Sequence, residues 1–244
     1  IVPENTEMPP RNDGVKAWDE HTADEHRLYT RLQSAYAGML DHTDRHISRL
    51  IDFLEETGQM DNTLILVLSD NGASQEGGRN GLVNAMGPFN LRPESMEEKF
   101  ARIEDIGGPD THSNFPHGWA MAANSPLKRY KQNTHGGGIR DPLIISWPKG
   151  LPARGELRHQ FAHCSDVVPT LLDILNIEPP ETINGVKQQP IEGQSFKDSL
   201  LKPEAPARDK PQYFEMFGHR GIWQDGWKAV AFHPMGSAFE DDQW

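Results

Sequence analysis

Ser69-Asp70-Asn71-Gly72 sets a carboxylate beside a carboxamide directly after the apolar run Thr63-Leu64-Ile65-Leu66-Val67-Leu68. Both side chains offer hard oxygen donors, which calcium and magnesium accept more readily than zinc does. Position adds to type, because open α/β sheets gather their ligands at the carboxyl ends of strands. The same tetrapeptide also reads as an ordinary strand-ending turn, since Asp and Asn-Gly are common turn chemistry. Taken alone, it leaves both readings open.

A second concentration of chemistry lies in Lys128-Arg129-Tyr130-Lys131-Gln132-Asn133-Thr134-His135-Gly136-Gly137-Gly138. Lys128, Arg129, Lys131 and His135 gather positive charge, and adjacent glycines let a backbone approach a ligand closely. An anionic group would find its partner here; a solvated basic loop before a strand is the plain alternative. His-Gly-Gly-Gly also matches the oxyanion loop of some lipases, but that reading needs a G-x-S-x-G turn to expose a serine. The nearest match, Gly193-Gln194-Ser195-Phe196-Lys197, lacks the final glycine. His42 and His46 have a spacing that suits paired ligands on a helix, yet no further ligand motif flanks them and they read as surface residues. Cys164 reads as a small buried residue in preference to an activated thiol.

The elements that must position these groups follow from periodicity. Apolar residues at Leu28, Leu32, Ala35, Tyr36, Met39, Leu40, Ile47, Leu50, Ile51 and Leu54 form one stripe and predict a helix from Asp24 to Thr57, stopped at Gly58. The apolar run from Thr63 to Ser69 predicts a strand buried on both faces. From 72 to about 117, Gly, Asn, Pro and charge predict a long loop with one amphipathic stretch from Met96 to Ile106. Trp119 to Ile139 reads as a second irregular stretch. A strand is predicted at Leu143-Ile144-Ile145-Ser146-Trp147, ended by Pro148, and a helix from Asp166 to Leu175 capped by Ser165. After a Pro-rich connection, Gln212 to Phe217 and Trp227 to Phe232 suit a small sheet.

Composition narrows the function classes. The 244 residues carry 24 Lys and Arg against 36 Asp and Glu, a net charge of -12, which argues against nucleic acid because that affinity rests on neutralising phosphates. No run of about 18 apolar residues exists to span a bilayer. One cysteine excludes an intrachain disulfide and any Cys-rich zinc cluster, so metal chemistry would use oxygen or imidazole. With 36% hydrophobic residues, 19 Pro and 22 Gly, the chain is polar for a whole α/β enzyme, and some core strands are expected to lie outside it.

The stretch from Ala35-Tyr36-Ala37-Gly38-Met39-Leu40-Asp41 through Asp61-Asn62-Thr63 to Ser69-Asp70-Asn71-Gly72 resembles the helix, turn and strand of bacterial arylsulfatases, members of the alkaline-phosphatase superfamily. Pro126 to Ile139 with Arg140-Asp141-Pro142-Leu143-Ile144 resembles that family's lysine loop, and Asp166-Val167-Val168-Pro169-Thr170-Leu171-Leu172 its late helix. The resemblance implies that Asp70 and Asn71 are side-chain ligands of a calcium ion. It also implies that Lys131 contacts the sulfate or leaving-group oxygen, with Lys128 as the fallback. The substrate it implies is a small-molecule sulfate ester, and bacterial cytoplasm and periplasm both stay open as compartments.

Two departures accompany it. Gly136 stands where the family usually has a Glu before paired glycines. The C/S-x-P-x-R motif whose Cys or Ser becomes the formylglycine nucleophile is absent from these residues, as are the early paired aspartates of the metal site. An N-terminal portion is therefore expected to be missing, with the C-terminal end cut as well, and the chain alone is expected to be inactive. The fold expected is α/β, a partial alkaline-phosphatase-like mixed sheet flanked by helices and leading into a small C-terminal antiparallel sheet. Residues 1–23 would form an extended arm, 24–200 part of the catalytic domain, and 201–244 the start of a smaller subdomain. A phosphonate or phosphate ester hydrolase, or a non-catalytic calcium-binding fragment, are the alternatives.

Overall fold

A computed structural model describes residues 4–152, 155–234 and 236–238. Helix α1 (Ala23–Glu56) begins where Thr22 Oγ1 accepts from the Glu25 amide at 3.3 Å and the Glu25 carboxylate accepts from the Thr22 amide at 2.8 Å. Such a reciprocal cap contributes about 1 kcal/mol. The helix ends before Gly58, whose φ of +66° suits glycine. Its first turns bury Leu28, Tyr29 and Leu32 in the core. Its later apolar residues, Met39, Leu40, Ile47, Leu50 and Phe53, remain exposed.

The core partners of α1 come from the segment read as a loop. Val83, Ile103, Ile106 and Phe115 are buried against Leu28, Tyr29 and Leu32, joined by Ala120 and Tyr130. Short helices α2 (Met86–Phe89) and α3 (Met96–Ala101) break this segment, and α4 (His117–Asn124) follows it. Its polar groups are closed internally. The Glu94 carboxylate accepts from the Val83 and Asn84 amides at 2.9 Å each. Lys99 donates to the Gly81 carbonyl at 2.7 Å, with burial lowering its pKa and Glu94 partly offsetting that. Gly and Pro content marked the segment as irregular, but its few apolar residues suffice to make it half of the core.

Strand β1 (Ile65–Leu68) pairs antiparallel with β2 (Leu143–Ser146), Ile65 opposite Ser146 and Leu68 opposite Leu143. The expectation of a strand buried on both faces fails: Val67 is 38% and Leu68 51% exposed. The described strands pair only antiparallel, in two hairpin-sized sheets and one three-stranded sheet, so the mixed sheet is not seen among the described residues. Between β1 and β2 lie α4 and the single turn α5 (Gly136–Ile139), where an irregular stretch was expected.

Helix α6 (Val167–Leu175) is entered through a 3-10 turn at Cys164–Asp166. Ser165 is not its cap. Asp166 stands at the N-cap position without capping the helix by its side chain; its carboxylate instead accepts from the His163 amide at 2.9 Å and the Gln194 amide at 2.8 Å, and pairs with the Arg208 guanidinium. Both charged side chains are almost wholly buried, at 7% and 2% exposure. Removing one partner leaves the other charge buried alone, so Asp166→Ala should cost about 3–5 kcal/mol of unfolding free energy in urea titration. A loss below about 1 kcal/mol, the value of an exposed pair, would show the pair to be dispensable.

The Pro-rich connection carries a small hairpin, β3 (Thr182–Ile183) and β4 (Val186–Lys187), and the helix α7 (Lys197–Leu201). Strands β5 (Gln212–Met216), β6 (His219–Gln224) and β7 (Trp227–Ala231) form the small C-terminal antiparallel sheet in the order β5-β6-β7. The middle strand escaped the sequence because His219, Arg220 and Gly221 do not look like strand residues. No helix of the described residues is long and apolar enough to cross a membrane.

Candidate active site

The β1–β2 ladder sets the first half of the site. The Ser69 amide donates to the Pro142 carbonyl at 3.4 Å, and the register carried on past Leu68 and Leu143 places Asp70 opposite Asp141. Directly opposed residues of an antiparallel pair share a face. Asp70 is exposed, Asn71 half-buried, and Ser69 Oγ donates to the Asn71 carbonyl at 2.8 Å, tightening the turn. The Asp141 carboxyl is pushed up to about 6, first by burial and then by the charge of Asp70.

The lysine loop supplies the second half. The Gly72 amide donates to the Gly138 carbonyl at 3.2 Å and the Lys131 amide to the Ala73 carbonyl at 3.1 Å. Asn124 of α4 clamps both strands of backbone, its Oδ1 accepting from the Ala73 amide at 3.1 Å and its Nδ2 donating to the Arg129 carbonyl at 3.1 Å. The structure thus brings the loop of Asp70 and Asn71 against the loop of Lys131. The glycines serve this junction. A Cβ on Gly72 would lie 1.7 Å from the Gly137 carbonyl oxygen, one on Gly137 2.0 Å from that of Arg129, and one on Gly138 2.0 Å from that of Asn133. The close approach they permit is therefore backbone to backbone and not backbone to ligand.

Lys131 Nζ pairs with the Glu76 carboxylate at 3.0 Å, and Gln132 reaches Gln75 and Glu76. Lys128 is exposed. His135 is buried, and its pKa falls to about 4 through burial first, then the charges of Arg129, Lys128, Lys228 and His219; it is neutral at pH 7. In the absence of a Glu at Gly136, the loop is anchored by Thr134, whose Oγ1 donates to the Arg220 carbonyl of β6 at 2.9 Å. Arg129 adds a second anchor, lying 3.6 Å above the Phe232 ring.

Sequence reasoning missed Asp141, Glu76, Asn124 and Thr134. Asp141 was accessible by counting register from the two predicted strands; the others carry no local signal. Cys164, read as buried, is exposed, with its Sγ 3.7 Å from His163 Nε2. His42 and His46 stack edge to face at 4.4 Å on the exposed side of α1, as surface residues.

Asp70, Asn71 and Asp141 offer carboxylate and amide oxygens, the donor type calcium takes. Among the described residues no group of three or more His, Cys, Asp or Glu side chains is arranged to hold a metal ion. The donors fit calcium in kind and fall short of the about six to eight oxygens it collects.

The raised carboxyl of Asp141 makes a pH prediction. Its folded value, about 6, exceeds the ordinary 3.8. Below 3.8 both states are protonated and the group is neutral to stability; as pH rises through this window the unfolded chain ionises first, and stability falls. Asp141→Asn should therefore raise stability at pH 7 by on the order of 1 kcal/mol, discounted for partial exposure, and leave it unchanged near pH 3. Denaturant titration in chelator at both pH values is the measurement; an equal gain at both would assign the effect to packing.

An α-helix and strand pair ending in adjacent Asp and Asn, closed onto a glycine-rich lysine loop, is the arrangement these residues build. This chain belongs to the sulfatase family: the family model described as Sulfatase matches residues 4–177. It is 29% identical over 233 residues to an uncharacterised sulfatase of Schizosaccharomyces pombe, covering 94% of this chain and 41% of that one. To the arylsulfatase of Klebsiella aerogenes it is 26% identical over 204 residues, 83% of this chain and 41% of the relative. To the N-acetylgalactosamine-6-sulfatase of Mus musculus it is 23% identical over 213 residues, 82% and 32% respectively. The chain thus spans well under half the length of these relatives.

Proposed function

We propose that the gene product to which these residues belong hydrolyses aryl sulfate monoesters, with Asp70 and Asn71 as calcium ligands and Lys131 as the cation on the transferring group. The observation that carries the reading is the junction of two loops from distant parts of a sulfatase-family chain, the Lys131 amide bonded to Ala73 beside Asp70 and Asn71. Calcium bound there would supply a Lewis acid that offsets charge on the sulfuryl oxygens. Lys131 would act by the same electrostatics, exchanging its contact with Glu76 for one with an ester oxygen. Asn124 and the glycine junction hold the two groups in register while this happens. The nucleophile is assigned to a formylglycine in sequence beyond these residues, and the surrounding sheet to the alkaline-phosphatase-like kind.

The test is substrate choice by the whole gene product. Turnover of 4-nitrophenyl sulfate should exceed that of 4-nitrophenyl phosphate and of a phosphonate monoester, and should fall on chelation or with Asp70→Ala. Preference for the phosphonate would move the enzyme to that branch of the superfamily. Calcium binding without turnover of any ester would make it a binding module.

A further inference from the structure

A cavity of about 390 Å³ opens between the arm of residues 11–18, the start of α1, and α4. Neither Asp70 nor Lys131 lines it. Its walls are aromatic: the Trp18 and Trp119 rings stand 5.5 Å apart at 57°, and Tyr29 closes the base. Trp119 is held by its Nε1 donating to the Tyr29 carbonyl at 3.0 Å, and Trp18 stacks on His26 at 4.4 Å. The walls are thus built in place and need little ordering to receive a flat ring.

The mouth reverses the charge of the molecule. In a chain of net charge -12, three of the residues that line the cavity, Arg11, Lys16 and Arg79, are basic and exposed. None of the three forms an ion pair among the described residues. The one lining carboxylate, Glu25, is already engaged by the Thr22 amide at 2.8 Å and His21 at 3.4 Å. Small ligands bind where an apolar pocket carries a few convergent polar groups, and guanidinium forks pair bidentately with carboxylate and with tetrahedral oxyanions of the phosphate kind.

We propose that this cavity binds a small aromatic anion, its ring against Trp18 and Trp119 and its charged group at Arg11, Lys16 and Arg79. The site is separate from the loop junction. Helix α4 turns Gly118, Met121, Ala122 and Ser125 to the cavity, while Asn124 bonds the Ala73 amide. It stands whether or not the chain's parent is an arylsulfatase, and sulfonates, carboxylates and sulfates of one small, flat aromatic system share the required chemistry.

Titration calorimetry of the chain with 2-naphthalenesulfonate, 2-naphthol and inorganic sulfate tests it. The sulfonate should bind at least about tenfold more tightly than either the neutral ring or the bare anion, since it alone engages both walls and mouth. Arg79→Gln and Trp18→Phe or Trp18→Ala should each weaken it by about tenfold. Arg79 is exposed and Trp18 is 48% exposed and outside the buried core, so these variants should keep the fold, and circular dichroism verifies that. Lys131→Ala should leave binding unchanged. Absence of sulfonate binding, equal affinity for 2-naphthol, or loss in Lys131→Ala with Arg79→Gln silent would each overturn the proposal, the last by relocating the ligand to the loop junction.

Discussion

Lys131→Ala in the whole gene product should lower turnover of an aryl sulfate by about two to three orders of magnitude, the usual effect of removing one preorganised charge-stabilising donor. The fold should not register the change. The side chain of Lys131 is 30% exposed and that of Glu76 40% exposed, and exposed pairs of this kind contribute about 0–1 kcal/mol. The backbone contact that positions residue 131, its amide on the Ala73 carbonyl, survives the substitution. Loss of kcat with an unchanged melting temperature is therefore the signature of a functional lysine, and Glu76→Gln, which frees the ammonium, should leave far more activity than Lys131→Ala. Unaltered turnover in Lys131→Ala would pass the role to Lys128, which is exposed three residues earlier in the loop, or end the assignment.

The 244-residue chain by itself should show no hydrolysis of a chromogenic aryl sulfate, even in excess calcium. The described residues bring Asp70, Asn71 and Asp141 to one edge, which leaves an ion that takes about six to eight oxygens mostly hydrated, so calcium should bind weakly. They contain no C/S-x-P-x-R, and charge stabilisation without a nucleophile retains only residual acceleration. The exposed thiol of Cys164, with His163 Nε2 3.7 Å away, is the one group that could be mistaken for a replacement nucleophile, which makes Cys164→Ala the control. Robust turnover abolished by Cys164→Ala would place the active site at the head of α6 and remove it from the β1 loop.

Helix α1 and strand β2 were legible because their signals are local: a stripe at helical spacing, an apolar run closed by Pro148. The β1 strand was legible in place and not in environment. An apolar run states what a strand is suited to lie against, not what covers it, and Val67 and Leu68 are exposed. The segment from 72 to 117 misled for the opposite reason, since Val83, Ile103, Ile106 and Phe115 are too sparse to show a period yet meet in one core, where Glu94 and Lys99 tie down the backbone around Val83. At the candidate site, Asp70, Asn71 and Lys131 were chosen by type and by resemblance. Their support by Asn124, Thr134 and the β6 backbone is a product of chain contacts across 51 and 86 positions, which no local pattern encodes.

The glycine junction makes the donor loop and the cation loop a single mechanical part. Gly72 against Gly137 joins the two loops, while Gly137 against Arg129 and Gly138 against Asn133 close the lysine loop on itself, so a methyl group at Gly72 would pry the loops apart and one at Gly137 or Gly138 would deform the loop that carries Lys131. A mutational scan would score Gly72, Gly137 and Gly138 as severely as the reactive side chains, although none of them carries a side chain of its own. Such a map would trace the hinge pin of the site as brightly as its chemistry, and only a measurement that separates stability from turnover tells the two apart.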